Sequence, residues 1–297
     1  MMKIAVLLTC FNRKEKTLKC LENLFSQNNI DKYGIHVFLT DDNSKDGTAN
    51  AVKEKFPEVN ILIGNGSLFW AGGMRNSWRA AINSDIEFDY YLLLNDDTVI
   101  FEDTLEKLVK SNQSMKLKNN KSNVTIGTTT DFISGKFTYG GFKLYSPEKL
   151  KHTLVNSQTQ ELACDFGCAN IMLVPKEVSD TIGALADRFV HGIADFDYTL
   201  RAKKANFDVW VAPGVLGHCT YDQVRTWKSM DSKLSDRIEF LYSPKGLEYK
   251  EYMYFLKTHF PKEVPAMFVK FWVKTLFPLV YDKFKVERKE VQIEQQS

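Results

Sequence analysis

The sequence predicts an α/β protein: a mostly parallel, mixed sheet flanked by helices, with a helical extension at its C-terminal end. Three observations carry this expectation. Short apolar runs alternate with stretches of helical periodicity over the first hundred residues, the connections between them are brief and polar, and no strand signal returns after Gly217.

Ile4 to Leu8 is the first apolar run, and Leu18, Leu21, Leu24 and Phe25 then share one helical face. "IHVFLT" at 35–40 predicts the second strand, "DDNSKDGT" a turn and helix start, and "ANAVKEKF" the second helix. In that turn Asp46 and Gly47 read as backbone formers. A third strand, "VNILIG", is followed by a helix from Gly72, "GGMRNSWRAAI", and "YYLLL" at 90–94 forms a fourth strand. Such alternation implies right-handed crossovers and a sheet covered on both faces, whose ligands bind at the carboxyl ends of the strands. Residues 124–145 alternate loosely and predict extra strands or a hairpin; "ANIMLVPKEVSDTIG" predicts a strand with Pro175 starting a helix, and "DFDYTLRAKKANFDVWVAPG" a helix of about ten residues and another strand. The composition shift places a boundary near residue 225, giving a main domain over 1–225 and an extension over 226–297.

The fourth strand runs straight into Asn95, Asp96 and Asp97. Adjacent carboxylates repel, so a cation or a set of hydrogen-bond donors is expected between them. Thr9, Asp41 and Asp42 belong to the same sheet edge. With 39 Lys+Arg against 37 Asp+Glu, the chain is too near neutral for a dedicated nucleic-acid binder. Five scattered cysteines read as reduced thiols of a cytosolic protein, and Cys164 and Cys168 lack the second pair that a zinc site would want. The N-terminal apolar run fits a core strand better than a signal peptide, and no run of about 20 uncharged apolar residues suggests a spanning helix. Residues 262–289 hold seven Lys/Arg and three acids among many aromatics. That pattern suits a helix lying in a membrane interface with its lysines reaching the phosphates, or equally one packed on the main domain or a partner subunit, a second copy of the chain included.

Four segments in this order, "LLTCFNR", "LTDDNSKDGT", "LLLNDDT" and "GIADFDYTLRAKKANFDVWVAPGVLGH", resemble the family-two inverting glycosyltransferases of the glycosyltransferase-A fold, over residues 3 to 220. The resemblance implies transfer of a sugar from a UDP- or dTDP-linked donor to a hydroxyl of a glycan or lipid-linked saccharide, with Mg2+ or Mn2+. A surface glycan such as exopolysaccharide, capsule or O-antigen would be the product, made in the cytoplasm or at the inner face of the membrane. Asn95-Asp96-Asp97 matches the family's Asp-x-Asp with Asn in the first place. Asp97 is thereby implied as metal ligand, with His218 as a second, and Asn95 and Asp96 as donor contacts. On the nucleotide side the resemblance implies Thr9, Phe11, Asn12, Arg13, Asp41, Asp42, Gly66, Trp70, Arg75 and Asn76, the last two opening the third helix.

Asp195 stands where the family has its general base, with Ala194 where Glu is usual. His191, Asp197 and Trp227 are expected on the acceptor side, with Asp197 tied to Arg201 at i+4. Two competitors are a sugar-phosphate nucleotidyltransferase, which would carry glycine in the loop after the first strand where "TCFNRKEKT" has none, and a non-catalytic binding module of the same fold.

Overall fold

The structure, a computed structural model, describes residues 1–220 and 232–283. Its N-terminal half alternates β1 (Met2–Cys10), α1 (Lys14–Phe25), β2 (Tyr33–Asp41), α2 (Thr48–Lys55), β3 (Asn60–Ile63), α3 (Phe69–Ile82) and β4 (Tyr90–Leu94). A short β5 (Val99–Ile100), α4 (Thr104–Asn119), β6 (Asn123–Ile126) and β7 (Thr129–Thr130) follow. The segment 124–145, expected to hold extra strands or a hairpin, contains β7 and most of β6 and of β8 (Gly141–Ser146), whose hairpin partner β9 (Lys149–Val155) lies beyond it, and small strands β10 (Leu162–Ala163) and β11 (Phe166–Gly167) lead to β12 (Ile171–Pro175). Then come α5 (Lys176–Ile182), α6 (Ala194–Lys204), β13 (Asp208–Val211) and β14 (Gly217–His218). Helices α7 (Leu234–Tyr242), α8 (Tyr249–His259), α9 (Val264–Leu276) and α10 (Pro278–Lys283) complete the described chain.

Eight strands form the central sheet in the order β10-β13-β6-β12-β4-β1-β2-β3. The first four in sequence are mutually parallel, as are β6 and β13, while β12 runs antiparallel between β4 and β6. Alternate residues of β1 feed two cores: Ala5 and Leu7 pack with Trp78 and Tyr198 on one face, Ile4, Val6 and Leu8 with Leu21, Leu24 and Leu39 on the other. A strand buried on both faces must be apolar throughout, which is why "IAVLL" shows no alternation. Each of its Ile, Val and Leu side chains contributes about 1.5–3 kcal/mol on leaving water.

Register sets the functional edge. Thr9 pairs with Thr40 and Cys10 with Asp41, so β1 and β2 finish together, and β4 ends beside them. Helix α3 starts at Phe69, three residues before Gly72, so Arg75 and Asn76 lie in its second turn rather than opening it. Its glycines serve packing: a Cβ on Gly73 would stand 2.0 Å from Thr9 Oγ1, so the helix rests directly on β1. The C-terminal helices join the same core, where Leu241, Phe255, Leu256, Phe260 and Phe271 pack in one cluster with Trp78 and Tyr198.

Candidate active site

The turn after β4 closes with Thr98 N donating to Asn95 O at 3.1 Å, and it brings both carboxylates inward. The cation expected between them is Arg13, the residue at the head of α1. Its Nη1 lies 2.7 Å from Asp97 Oδ2 and 3.5 Å from Asp96 Oδ1, with Lys16 Nζ at 3.8 Å from Asp97. Thr17, one turn along α1, donates to Asp96 Oδ2 at 3.2 Å. Burial pushes the Asp96 carboxyl up to about 7, and the neighbouring Asp97 charge adds to this against the pull of Arg13.

Asn95 has a separate partner: Trp70 donates its indole N–H to Asn95 Oδ1 at 2.8 Å. The Asn in the first position thus ties the start of α3 to the acidic turn.

Around this turn, the remaining residues expected on the nucleotide side divide into two groups. Thr9, Asn12, Asp41, Asp42 and Gly66 line the same sheet edge. Thr9 donates to Thr40 O at 3.2 Å, and Asn76 Nδ2 reaches Thr40 Oγ1 at 3.3 Å. Asn12, at φ 52°, accepts from Lys45 N at 2.7 Å and donates its own N–H to Ser44 Oγ at 2.9 Å. Asp41 accepts from Ser44 N at 2.7 Å. Asp42 accepts three backbone N–H groups, from Gly66 at 2.8 Å, Leu68 at 2.8 Å and Phe69 at 3.2 Å, and Gly66 meets it at φ 86°. Phe11 is exposed at the rim. Arg75 forms the second group, because its guanidinium turns to the segment before α6: it donates to Ala186 O at 2.8 Å and Phe189 O at 2.9 Å and pairs with Asp187 at 3.0 Å.

Asp195 sits in the first turn of α6, entered through Ile193 at φ 56°, a left-handed conformation that strains a β-branched residue. Its Oδ2 accepts from Ala169 N at 3.1 Å and its Oδ1 from Phe196 N at 2.9 Å. Burial pushes its carboxyl up to about 6, the two backbone donors restraining the rise. Asp197 faces the interior, accepting from Arg201 Nε at 2.8 Å, the expected i+4 pair, and lying 2.8 Å from His259 Nε2 of α8. His191 Nδ1 is 3.4 Å from Trp70 N, and its ring meets Phe69 edge-on. His218 Nδ1 bonds Thr130 Oγ1 at 3.0 Å with its ring between Phe101 and Phe132. Trp227 lies outside the described residues.

Two adjacent residues join the acids. While Ala169 N holds Asp195, Asn170 O accepts from Asn95 N at 3.1 Å and Asn170 Nδ2 meets Cys219 Sγ at 3.4 Å, which in turn lies 3.6 Å from Asp97 Oδ1. Burial pushes the Cys219 thiol up to about 12, so it remains a neutral donor. Asn170 and Cys219 were missed in sequence; the only signal was their position beside the β12 strand and His218. Glu251, whose carboxylate takes Val190 N at 3.1 Å, and His259 were missed too, although they flank Phe255 at four-residue spacing on the buried face of α8.

As for a metal, among the described residues no three His, Cys, Asp or Glu side chains gather as ligands. The donor set is instead a pair of carboxylates whose charge one guanidinium offsets only in part. That suits a hard cation completed by substrate phosphates rather than a closed protein cage.

The family model for glycosyl transferase family 2 matches residues 5–180. No curated protein matches the sequence. Among solved structures, the mannosyltransferase PcManGT from Pyrobaculum calidifontis, in complex with GDP-Man and Mn2+, aligns with a TM-score of 0.50 at 15% identity. The alignment covers 79% of this chain and 59% of that one, and at this identity it speaks for the fold, which is of the glycosyltransferase-A type.

Proposed function

The chain belongs to glycosyl transferase family 2, and from that premise we propose that it transfers a sugar from a nucleoside diphosphate donor to an acceptor hydroxyl with inversion at the anomeric carbon. The observation that supports this best is the link just described, by which Ala169 and Asn170 hold Asp195 on one side and the Asp97 turn on the other. A leaving diphosphate and an attacking hydroxyl need those two kinds of group within one site.

In this reading Asp97 would hold Mg2+ or Mn2+ beside the donor's phosphates; the Mn2+ of the mannosyltransferase neighbour points the same way. When bound, the ion neutralises charge growing on the leaving diphosphate. His218 is proposed as a further ligand. Arg13 and Lys16 hold the phosphate end of the donor, while Thr9, Asn12 and Asp41 form the wall for base and ribose. Asp96, shared with Thr17, fixes the turn that aims Asp97.

Asp195 takes the acceptor's proton as its oxygen attacks. A carboxyl poised near pH 6 suits this, since it is ionised at neutral pH yet basic enough to receive a proton. Backbone donors from Ala169 and Phe196 keep the carboxylate from rotating. His191 stands at the junction of the α3 and α6 loops, where an acceptor would enter.

The donor is proposed as UDP- or dTDP-linked, and the acceptor as a lipid-linked saccharide of a surface glycan at the inner face of the cell membrane. The decisive experiment is release of nucleoside diphosphate from a panel of sugar nucleotides with Mn2+, compared between the unaltered protein and Asp195→Ala. Equal turnover in both would end the assignment of the base.

A further inference from the structure

Helix α9 is two-faced. Inward, Phe271 is 5% exposed and packs edge-on against Tyr252 at 5.3 Å and Tyr249 at 6.1 Å, while Arg237 of α7 donates to Thr275 O at 2.8 Å. Outward, Phe268, Val269, Leu276, Phe277, Leu279 and Val280 are between 43% and 64% exposed. Six large apolar side chains open to water within thirteen residues form a patch rather than scattered exposure. Pro278 breaks α9 at Phe277, and α10 carries the patch onward, with Lys274 Nζ 5.5 Å from the Tyr281 ring.

Charge selects the occupant. Val264–Leu276 contains Lys270 and Lys274 and no Asp or Glu, and the sequence from 264 to 289 as a whole carries six Lys/Arg against two acids, Asp282 and Glu287. A protein partner's interface ordinarily has a rim of mixed polarity, whereas apolar side chains bordered mainly by cations match an acyl layer beneath anionic headgroups. No helix among the described residues is long and apolar enough to cross a membrane, so the contact would be one of lying on the surface.

We propose that α9 and α10 form a docking surface for an anionic phospholipid bilayer, with Phe268, Phe277 and Leu279 entering the acyl boundary and Lys270 and Lys274 at the headgroups. This deepens the membrane-side reading of the acceptor and rests on it for biological placement. Because α8 both packs on α9 and holds Glu251 and His259 against the loop and helix that carry Asp195, the bilayer would lie on the side from which a lipid-linked acceptor arrives.

The test uses the full chain and no sugar donor, so its outcome is independent of the catalytic assignment. Sedimentation with vesicles of phosphatidylcholine alone, and with about a third phosphatidylglycerol, should show at least tenfold tighter binding to the anionic set, reduced by added salt. The double variant F277S/L279S should lose about tenfold or more while keeping the unaltered melting temperature, since both side chains are exposed. K270Q/K274Q should lose the preference for anionic vesicles. Absence of binding to either vesicle overturns the proposal, as does equal binding by F277S/L279S. Light scattering that shows a dimer dissociated by the same substitutions also overturns it, assigning the patch to contact between copies.

Discussion

Arg13 Nη1 lies 2.7 Å from Asp97 Oδ2, so the guanidinium holds the charge-compensating place beside the acidic turn. Replacing Arg13 with Ala leaves Asp96 and Asp97 with Lys16 as the remaining ion-pair partner among the described residues. The half-open arginine limits the loss of stability to about 1 kcal/mol, a fall in melting temperature of roughly 2–4 °C. Added Mn2+ should recover more of the melting temperature in Arg13→Ala than it adds to the unaltered protein. A thermal-shift titration checks this, and equal shifts would separate Arg13 from the ion site.

Asp97→Ala should lower Mn2+-dependent release of nucleoside diphosphate by about 10²-fold or more, the scale of losing one charge-stabilising group in a site. Steady-state turnover on the responsive sugar nucleotide measures it. Folding should survive, which circular dichroism can verify, because the change removes a carboxylate from a like-charged pair.

Asp195 predicts a pH profile. Its carboxyl is raised to about 6, and only the ionised form can accept a proton, so kcat/KM should climb as pH passes upward through about 6 and level off near neutrality. Asp195→Asn should remove this limb and about 10²–10⁴-fold of the rate. The stability linkage has the opposite sign: a buried carboxyl raised above its unfolded value makes the protein lose stability as pH rises from about 4 to 6.

Much of this was legible in the sequence, and the exceptions have physical causes. The alternation of β1 through β4 came from local periodicity, which the two-sided core enforces. The convergence of Thr9, Asp41 and Asp97 followed from parallel topology, because every such strand ends at one edge. Arg75 was legible as an arginine but not as a clamp on Ala186 and Phe189, since partners more than a hundred residues away leave no local trace. The sequence starts α3 at Gly72, inside the glycine pair, whereas the helix begins at Phe69 and Gly73 is demanded by contact with Thr9. Glu251 and His259 lay within a helix whose packing partner could not be deduced from its own periodicity.

Gly73→Ala tests that contact directly. The added methyl would meet Thr9 Oγ1 at 2.0 Å, and relief requires α3 to lift from β1 or Thr9 to give up its bond to Thr40 O. Overpacking of this kind costs about 1–3 kcal/mol. Chemical denaturation should show it, and Thr9→Ala in the same chain should restore part of the loss.

Asp197 predicts acid sensitivity. Burial raises its carboxyl, but the hydrogen bonds from His259 and Arg201 outweigh this and hold it below its ordinary value. A depressed carboxyl stabilises the fold above its unfolded value and loses that contribution as pH falls through the lower folded one. Melting temperature should therefore drop below pH 4 more steeply in the unaltered protein than in Asp197→Asn, whose stability is lower throughout; parallel curves would contradict the pairing.

Asp42 already answers three amide donors at the entry to α3, those of Gly66, Leu68 and Phe69. The positive pole of that helix is thus quenched from within, and a second anion approaching it would meet like charge. In the proposed reading, phosphate groups would then be deflected toward Arg13 and Lys16 beside the acidic turn, so a built-in carboxylate would decide where an incoming ligand's negative charge can settle.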